Sequence, residues 1–190
     1  MDDALRIRRA RADEGPTLAP ILTALSRRSK AHWGYDPELL RRWLEDLHIS
    51  PEDIDRDVVL VAETGAEPDA QTRAHTGALP RIAGFARVTR GAPPVVTGPP
   101  PAQLKDLWVE PGDIGTGVGR TLFAAACEVA RTLPATQLLI VADPNAEGFY
   151  RRMGARRIGE EASEVVDGRR LPILLLDLTR PGPDASVTSG

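Results

Sequence analysis

The stretch from Leu104 to Ala142 constrains this chain more than any other. It reads as an apolar strand (Leu104 to Val109), a glycine-rich turn (IGTGVGR, Ile114 to Arg120), a helix and a second apolar strand (Gln137 to Ala142). Val118, Leu122, Ala126, Val129 and Leu133 fall on one helical face, which predicts a helix from Gly117 to Leu133. Gly115, Gly117 and Gly119 let the backbone approach a ligand without a Cβ in the way, and the unpaired amides of the first helical turn point outward. That arrangement favours an anion, and a pyrophosphate matches both the donors and the positive end of the helix dipole.

The rest of the chain supplies elements around this unit. Leu5 to Arg9 reads as a first strand, and Pro16 opens a helix with Leu18, Ile21, Leu22 and Leu25 on one face. Asp36 before Pro37 is a cap and first-turn pair for a second amphipathic helix carrying Leu39, Leu40, Trp43, Leu44 and Leu47, and Ser50-Pro51 repeats that start signal. The run VVLVA, Val58 to Ala62, predicts a strand buried on both faces, with Ile82 to Val88 as its partner. A short helix is expected from about Asn145 to Met153, ended by Gly154 as a left-handed cap, with final strands over Arg157 to Gly159 and Leu171 to Leu178. Thr64 to Pro80 is polar and small, and Gly91 to Pro101 holds five prolines, so both are expected to be flexible loops. The tail 181–190 is expected to be disordered.

Composition narrows the function. With 190 residues, one domain is expected, spanning residues 5–179. A formal charge of −3 from intermixed acids and bases argues against a non-specific nucleic-acid partner. One cysteine and three scattered histidines give no metal-ligand spacing, so no metal is expected, and an unpaired Cys127 fits a reducing compartment. A charged amino terminus and the lack of a long apolar run predict no membrane span and a cytoplasmic protein.

Three glycine-rich families compete for the turn. A Walker A loop needs Lys and Ser/Thr after its last glycine, whereas Gly119 is followed by Arg120 and Thr121. A dinucleotide fingerprint needs G-x-G-x-x-G set tightly after a strand with an acid about twenty residues on. Asp143 offers that acid, but the glycines alternate as G-x-G-x-G. The third is the family that the combined pattern resembles. VxPxxxGxGxG followed by a helix, a strand and DPNAEGFYRRMGARRIG resembles the two central motifs of the GNAT (Gcn5-related N-acetyltransferase) superfamily, loosely from Leu5 to Leu178.

The resemblance implies an α/β (α+β) GNAT fold: a mixed central β-sheet with its fourth and fifth strands splayed, flanked by helices. It implies an N-acetyltransferase moving the acetyl group of acetyl-CoA to a primary amine of a small molecule or peptide. The backbone of Leu107, Trp108 and Val109 would pair with the pantetheine arm, and Ile114, Gly115, Thr116, Gly117, Val118, Gly119 and Arg120 would hold the pyrophosphate. Ile114 stands where the family usually has Gln or Arg, which removes a side chain that helps hold the phosphates. Asn145 matches the asparagine that contacts pantetheine, and Tyr150 the tyrosine that protonates the departing thiolate; the alternative for Tyr150 is a packing aromatic. Arg120, Arg151 and Arg152 are candidates for the CoA 3′-phosphate.

No general base is identifiable, although Asp106, Glu110 and Glu63 lie near the right strands and Lys105 shares the parity of Val109. His32, Trp33 and Tyr35 fall in the segment that forms one wall of the family's acceptor site. Trp33 and Tyr35 could stack on a cationic or aromatic acceptor, or seal the core. DGRRLP, Asp167 to Pro172, would form the opposite wall or a plain hairpin loop. Cys127 reads as a buried, inert thiol. A catalytically inactive CoA-binding regulatory module and a dinucleotide-binding oxidoreductase stay open as alternatives, as does a homodimer formed through strands.

Overall fold

A computed structural model describes residues 5–65, 80–90 and 102–180 of the chain. Its strands are β1 (Arg6–Arg9), β2 (Val58–Thr64), β3 (Arg81–Thr89), β4 (Ala102–Val109), β5 (Gln137–Val141), β6 (Arg156–Ala162) and β7 (Arg170–Asp177). The helices are α1 (Gly15–Ala31), α2 (Pro37–Arg42), α3 (Pro51–Arg56), α4 (Val118–Arg131) and α5 (Glu147–Arg152). Expected flexibility over most of 64–80, over 91–101 and in the tail falls on residues outside those described.

The local signals act as their chemistry requires. The Asp36 carboxylate accepts from the Glu38 amide to cap α2, and Ser50 and Asp53 form a reciprocal capping box on α3. Gly154 follows α5 with φ +92°, the left-handed conformation that ends a helix. One expectation fails: α2 stops at Arg42, and the chain runs on as turns through Leu47. Trp43 is buried against Tyr35 and Lys30, while the Leu47 carbonyl accepts from Ser26 Oγ at 2.7 Å, so tertiary contacts pull this segment off the helical path. Leu44, expected on the apolar face, is exposed.

The strands form one seven-stranded sheet in the order β1-β2-β3-β4-β5-β7-β6. Only β4 and β5 run parallel. One face of the sheet packs Ala86, Leu104 and Leu138 against Leu122, Phe123 and Ala126 of α4. The other packs Val59, Val61 and Phe85 against Leu18, Leu22 and Leu25 of α1 and Ile54 of α3.

The functional geometry starts at a register break. In the β3–β4 ladder Val88 faces Leu104 but Arg87 faces Asp106, leaving Lys105 as the extra residue of a β-bulge. A bulge bends its strand and re-aims the side chains beyond it. Leu104 accordingly joins the α4 side of the core. Asp106 turns to the opposite face, where its Oδ2 accepts from Arg87 Nε at 2.6 Å and its Oδ1 from Trp108 Nε1 at 3.0 Å. Pairing between β4 and β5 covers three residue pairs and ends at Leu104↔Ile140, next to the bulge. From there the two strands diverge.

Close approach of α4 to β3 shapes the same region. A Cβ on Gly84 would lie 2.7 Å from the Trp108 carbonyl oxygen and 2.9 Å from Leu122 Cδ1. The carbonyl belongs to β4 and cannot yield without disturbing the ladder. Gly84→Ala is therefore expected to destabilise the fold by about 1–3 kcal/mol. A chemical denaturation series reads this as a lower midpoint at unchanged slope.

Candidate active site

Where β4 and β5 part, a cavity of about 660 Å³ opens between them. Its walls are the ends of both strands, the turn after β4, the start of α4 and one side of α5. The volume lies within the range of small-molecule and cofactor sites.

The backbone of β4 supplies one wall. The Glu110 amide donates to the Ala83 carbonyl at 2.8 Å, and Trp108 and Asp106 face Phe85 and Arg87 along the same ladder. Hydrogen bonding alternates along an antiparallel strand, so the N–H and C=O groups of Leu107 and Val109 point away from β3, toward the gap that β5 has left. This edge is unpaired sheet of the kind that accepts an added strand.

The glycine turn forms the mouth. Gly115 and Gly117 hold φ +88° and +101°, and nothing lies within 4 Å of a Cβ built on either. Gly117 is the N-cap of α4, so the first-turn amides of that helix face the opening. Asp113 anchors the turn to β3 by accepting two hydrogen bonds from Arg81 at 2.7 and 2.8 Å, and the Thr116 hydroxyl donates to the Asp113 carbonyl. A Cβ on Gly119 would point between Val109 and Phe149, both of which line the cavity, so its absence keeps the passage open. The residues present fit an elongated ligand carrying an anionic group near the turn.

Tyr150 lines the inner wall and is buried, packed against Phe123 and Phe149 with ring centroids 5.7 and 5.1 Å away. Burial pushes its phenol well above the ordinary tyrosine range, and the nearby Asp106 and Asp143 carboxylates add to that. The group stays a neutral proton donor across physiological pH.

Of the residues singled out in the sequence, Leu107, Trp108, Val109, Ile114, Gly115, Gly117, Gly119, Arg120, Asn145, Tyr150 and Trp33 line this cavity. Thr116 and Val118 do not; Val118 is buried under the sheet. Ile114 and Trp33 are exposed apolar groups at the cavity, and Arg152 joins the lining where Arg151 does not. Lys105 is exposed and lines the cavity from the bulge. The three carboxylates considered as bases all hold guanidinium groups: Asp106 that of Arg87, Glu110 that of Arg28 at 2.7 and 3.0 Å, and Glu63 that of Arg8 at 2.8 Å. Cys127 is buried, and burial pushes its thiol up to about 11. Among the described residues no cluster of His, Cys, Asp and Glu could hold a metal ion.

Tyr35 sits elsewhere than expected. It does not line the cavity, and its hydroxyl donates to Asp143 at 2.7 Å while accepting from Asn145 Nδ2 at 2.8 Å and Arg169 Nη2 at 2.9 Å. Asp143 also binds Lys30 Nζ and, at 2.9 Å, Arg169 Nη2. Trp43 completes the cluster, with Lys30 Nζ 4.2 Å and Arg169 Cζ 4.7 Å from its ring centroid. Asp143 is therefore committed to the protein's own side chains, which removes the ribose-binding role a dinucleotide fold would give it. Sequence reasoning singled out the DGRRLP loop that carries Arg169, but Lys30 and the hub role of Asp143 gave no local signal.

The comparisons agree with this geometry. A family model for the acetyltransferase (GNAT) domain matches residues 62–168, more than half of the chain. The chain belongs to the GNAT acetyltransferase family. Its fold is shared by the PaiA N-acetyltransferase of Thermoplasma acidophilum, solved in complex with coenzyme A, at 19% identity and TM-score 0.57, over 92% of this chain and 99% of that one. An N-acetyltransferase from Staphylococcus aureus Mu50 shares it at 16% identity and TM-score 0.56, with the same coverage of 92% and 99%. No curated protein matches the sequence.

The Asp143 cluster gives this GNAT domain a pH signature. Lys30, the Asn145 amide and Tyr35 hold the Asp143 carboxyl below its ordinary value against the cost of burial. A carboxylate whose folded value is depressed contributes stability above its unfolded value and loses it as pH falls through the folded one. Asp143→Asn leaves two cations without their carboxylate, and is expected to cost about 3–5 kcal/mol near pH 7. In denaturant titrations from pH 7 downward, the gap between wild type and variant should narrow below the carboxylate range.

Proposed function

We propose that this protein transfers the acetyl group of acetyl-CoA to a primary amine of a small molecule or peptide by direct attack of the amine. The observation that carries the reading is the convergence of three features on one cavity: the glycine turn with its first-turn amides, the unpaired edge of β4, and Tyr150. Coenzyme A in the Thermoplasma relative supports the choice of donor.

When bound, acetyl-CoA supplies an activated thioester; the other roles belong to the chain. The amides of Gly115 and of Gly117 to Arg120 hold the pyrophosphate, that of Thr116 being spent on the Asp113 carbonyl, with the helix dipole adding roughly 0.3–1 kcal/mol. Leu107 and Val109 pair with the pantetheine arm as a strand would, the backbone groups of Trp108 being turned to β3, and Asn145 contacts the same arm. The Val109 amide polarises the thioester carbonyl, a contribution of about 2.7–4 kcal/mol for one well-placed donor. As the amine nitrogen forms its bond to the acyl carbon and the carbon–sulfur bond breaks, Tyr150 gives its proton to the sulfur. With Asp106, Glu110 and Glu63 in ion pairs, the proton of the attacking amine leaves to water.

Ile114 favours a second reading, a CoA-binding regulatory module without turnover, because it offers the phosphates no side-chain donor. Turnover separates the two. A broad amine panel assayed by free-thiol release should reveal acceptors, and Tyr150→Phe should lower kcat about tenfold to a thousandfold with acetyl-CoA affinity kept within threefold. Thiol release absent across the panel would favour the module, and unchanged turnover in the variant would remove Tyr150 from the chemistry.

A further inference from the structure

The last turn of α1 lies across the parting strands and is held from both sides. Arg28 bonds to Glu110 at 2.7 and 3.0 Å, just beyond β4, and Lys30 pairs with Asp143, just beyond β5. Ser29 between them is fixed over the gap and lines the cavity. Because α1 packs on the sheet face opposite α4, this turn reaches the cavity from the side away from the helix that the glycine turn opens. A ligand entering at that turn and one entering beside α1 would meet in the gap.

Ser29 is only 4% exposed, yet its hydroxyl makes no hydrogen bond among the described residues. Ser26, one turn earlier, spends its hydroxyl on the Thr23 and Leu47 carbonyls at 2.8 and 2.7 Å. Among the described residues the sealed polar atoms without partners are Thr64 Oγ1 and Arg169 Nε, so Ser29 Oγ keeps its opening to the cavity. A nearly buried hydroxyl left open in this way offers its bonds to a ligand.

Trp33 follows four residues later, on a turn in which its amide donates to the Lys30 carbonyl at 3.3 Å, and it lines the same cavity. Gly34 then takes φ +72° and turns the chain away, while His32 packs on the indole in an edge-to-face arrangement. Trp33 is 41% exposed, and of the three large apolar side chains exposed among the described residues, it and Ile114 line this cavity. An indole left bare at a cavity wall gains from a flat apolar cover.

Charge narrows what that cover carries. The three carboxylates that line the cavity are all committed, Asp106 to Arg87, Asp113 to Arg81, and Asp143 to Lys30 and Arg169. Lys105 adds a cation to the same wall. A second ammonium on the acceptor would find no open carboxylate there.

We infer that Ser29 and Trp33 form the acceptor subsite, and that the acceptor is an arylalkylamine, a primary amine on a short arm from an aromatic ring. The ring lies on Trp33. The Ser29 hydroxyl accepts one N–H of the amine and leaves the nitrogen lone pair free for the acyl carbon. A wall without an open carboxylate favours the neutral amine, the form that attacks, and turns away polyamines. The inference rests on the acetyl-CoA reading above.

The test titrates phenethylamine, tryptamine, hexylamine and spermidine into protein saturated with CoA, which allows binding without reaction. At least one arylalkylamine should bind about tenfold more tightly than spermidine and about threefold or more above hexylamine. Trp33→Ala should remove the lead over hexylamine, Trp33→Phe should keep part of it, and both should bind CoA within threefold of wild type. Ser29→Ala should weaken arylalkylamine binding about threefold to tenfold. Its denaturation midpoint should be unchanged or higher, because the hydroxyl it removes has no partner in the protein. Tighter binding of spermidine, equal binding of hexylamine, no binding by either arylalkylamine, a lead that survives Trp33→Ala, or unchanged amine binding in Ser29→Ala would each overturn the inference while leaving the acetyl-CoA reading intact. A lower midpoint in Ser29→Ala, or loss of CoA affinity in Trp33→Ala, would overturn it too, by making the serine structural or putting the ring against the cofactor. Failure of wild type to bind CoA would instead remove the reading beneath it.

Discussion

The buried pairing of Arg87 with Asp106 is the contact on which the site depends. Arg87 lies across the sheet face under α3, with its Nη1 also 2.6 Å from Asp53, and its Nε holds Asp106 on that face. Asp106 can only be there because Lys105 bulges; without the extra residue, side-chain alternation would turn it to the α4 side. The ion pair and the bulge thus specify each other. A buried pair of this kind is weak evidence for net stability, but removing one partner strands a charge, which makes the arrangement hard to lose by small steps. Its consequence is geometric: β4 leaves β5 at Leu104, and the backbone of Leu107 and Val109 is left unpaired.

Everything else at the site builds on that opening. Gly84 lets α4 press against β3, which brings the first turn of α4 to the mouth of the wedge. Asp143, at the end of β5, ties the far side together by binding Lys30 of α1, Tyr35 of the α1–α2 connection and Arg169 of the β6–β7 loop. Two buried charge clusters therefore flank the cavity, one fixing the strand that opens it and the other fixing the loops beside it. Between them Tyr150 sits in an aromatic, water-poor wall, which suits a proton donor.

Much of this was legible in the sequence because it is local. Asp36-Pro37, Ser50-Pro51 and Gly154 mark helix ends by chemistry confined to a few residues, and the alternating glycines before Leu122 mark a tight turn with left-handed backbone leading into a helix. Features set by distant partners were not. Nothing around Lys105 marks a bulge, since its cause, Arg87, lies on another strand. Asp106, Glu110 and Glu63 read as candidate bases until the structure brings an arginine to each. Tyr35 reads in the sequence as an aromatic able to stack on an acceptor, yet its hydroxyl is spent on residues more than a hundred positions away. The early end of α2 has the same origin, because the periodicity through Leu47 cannot register that Trp43 is claimed by Lys30 and Arg169.

We propose the wedge between β4 and β5 as an acyl-CoA site despite Ile114. Titration calorimetry of the purified protein with acetyl-CoA, with NADH and ATP as controls at fixed salt, tests it most directly. Saturable one-site binding of acetyl-CoA, with neither control binding comparably, is the predicted result. No acetyl-CoA binding at millimolar concentration, or tighter binding of NADH, would contradict an acyl-CoA site in the wedge.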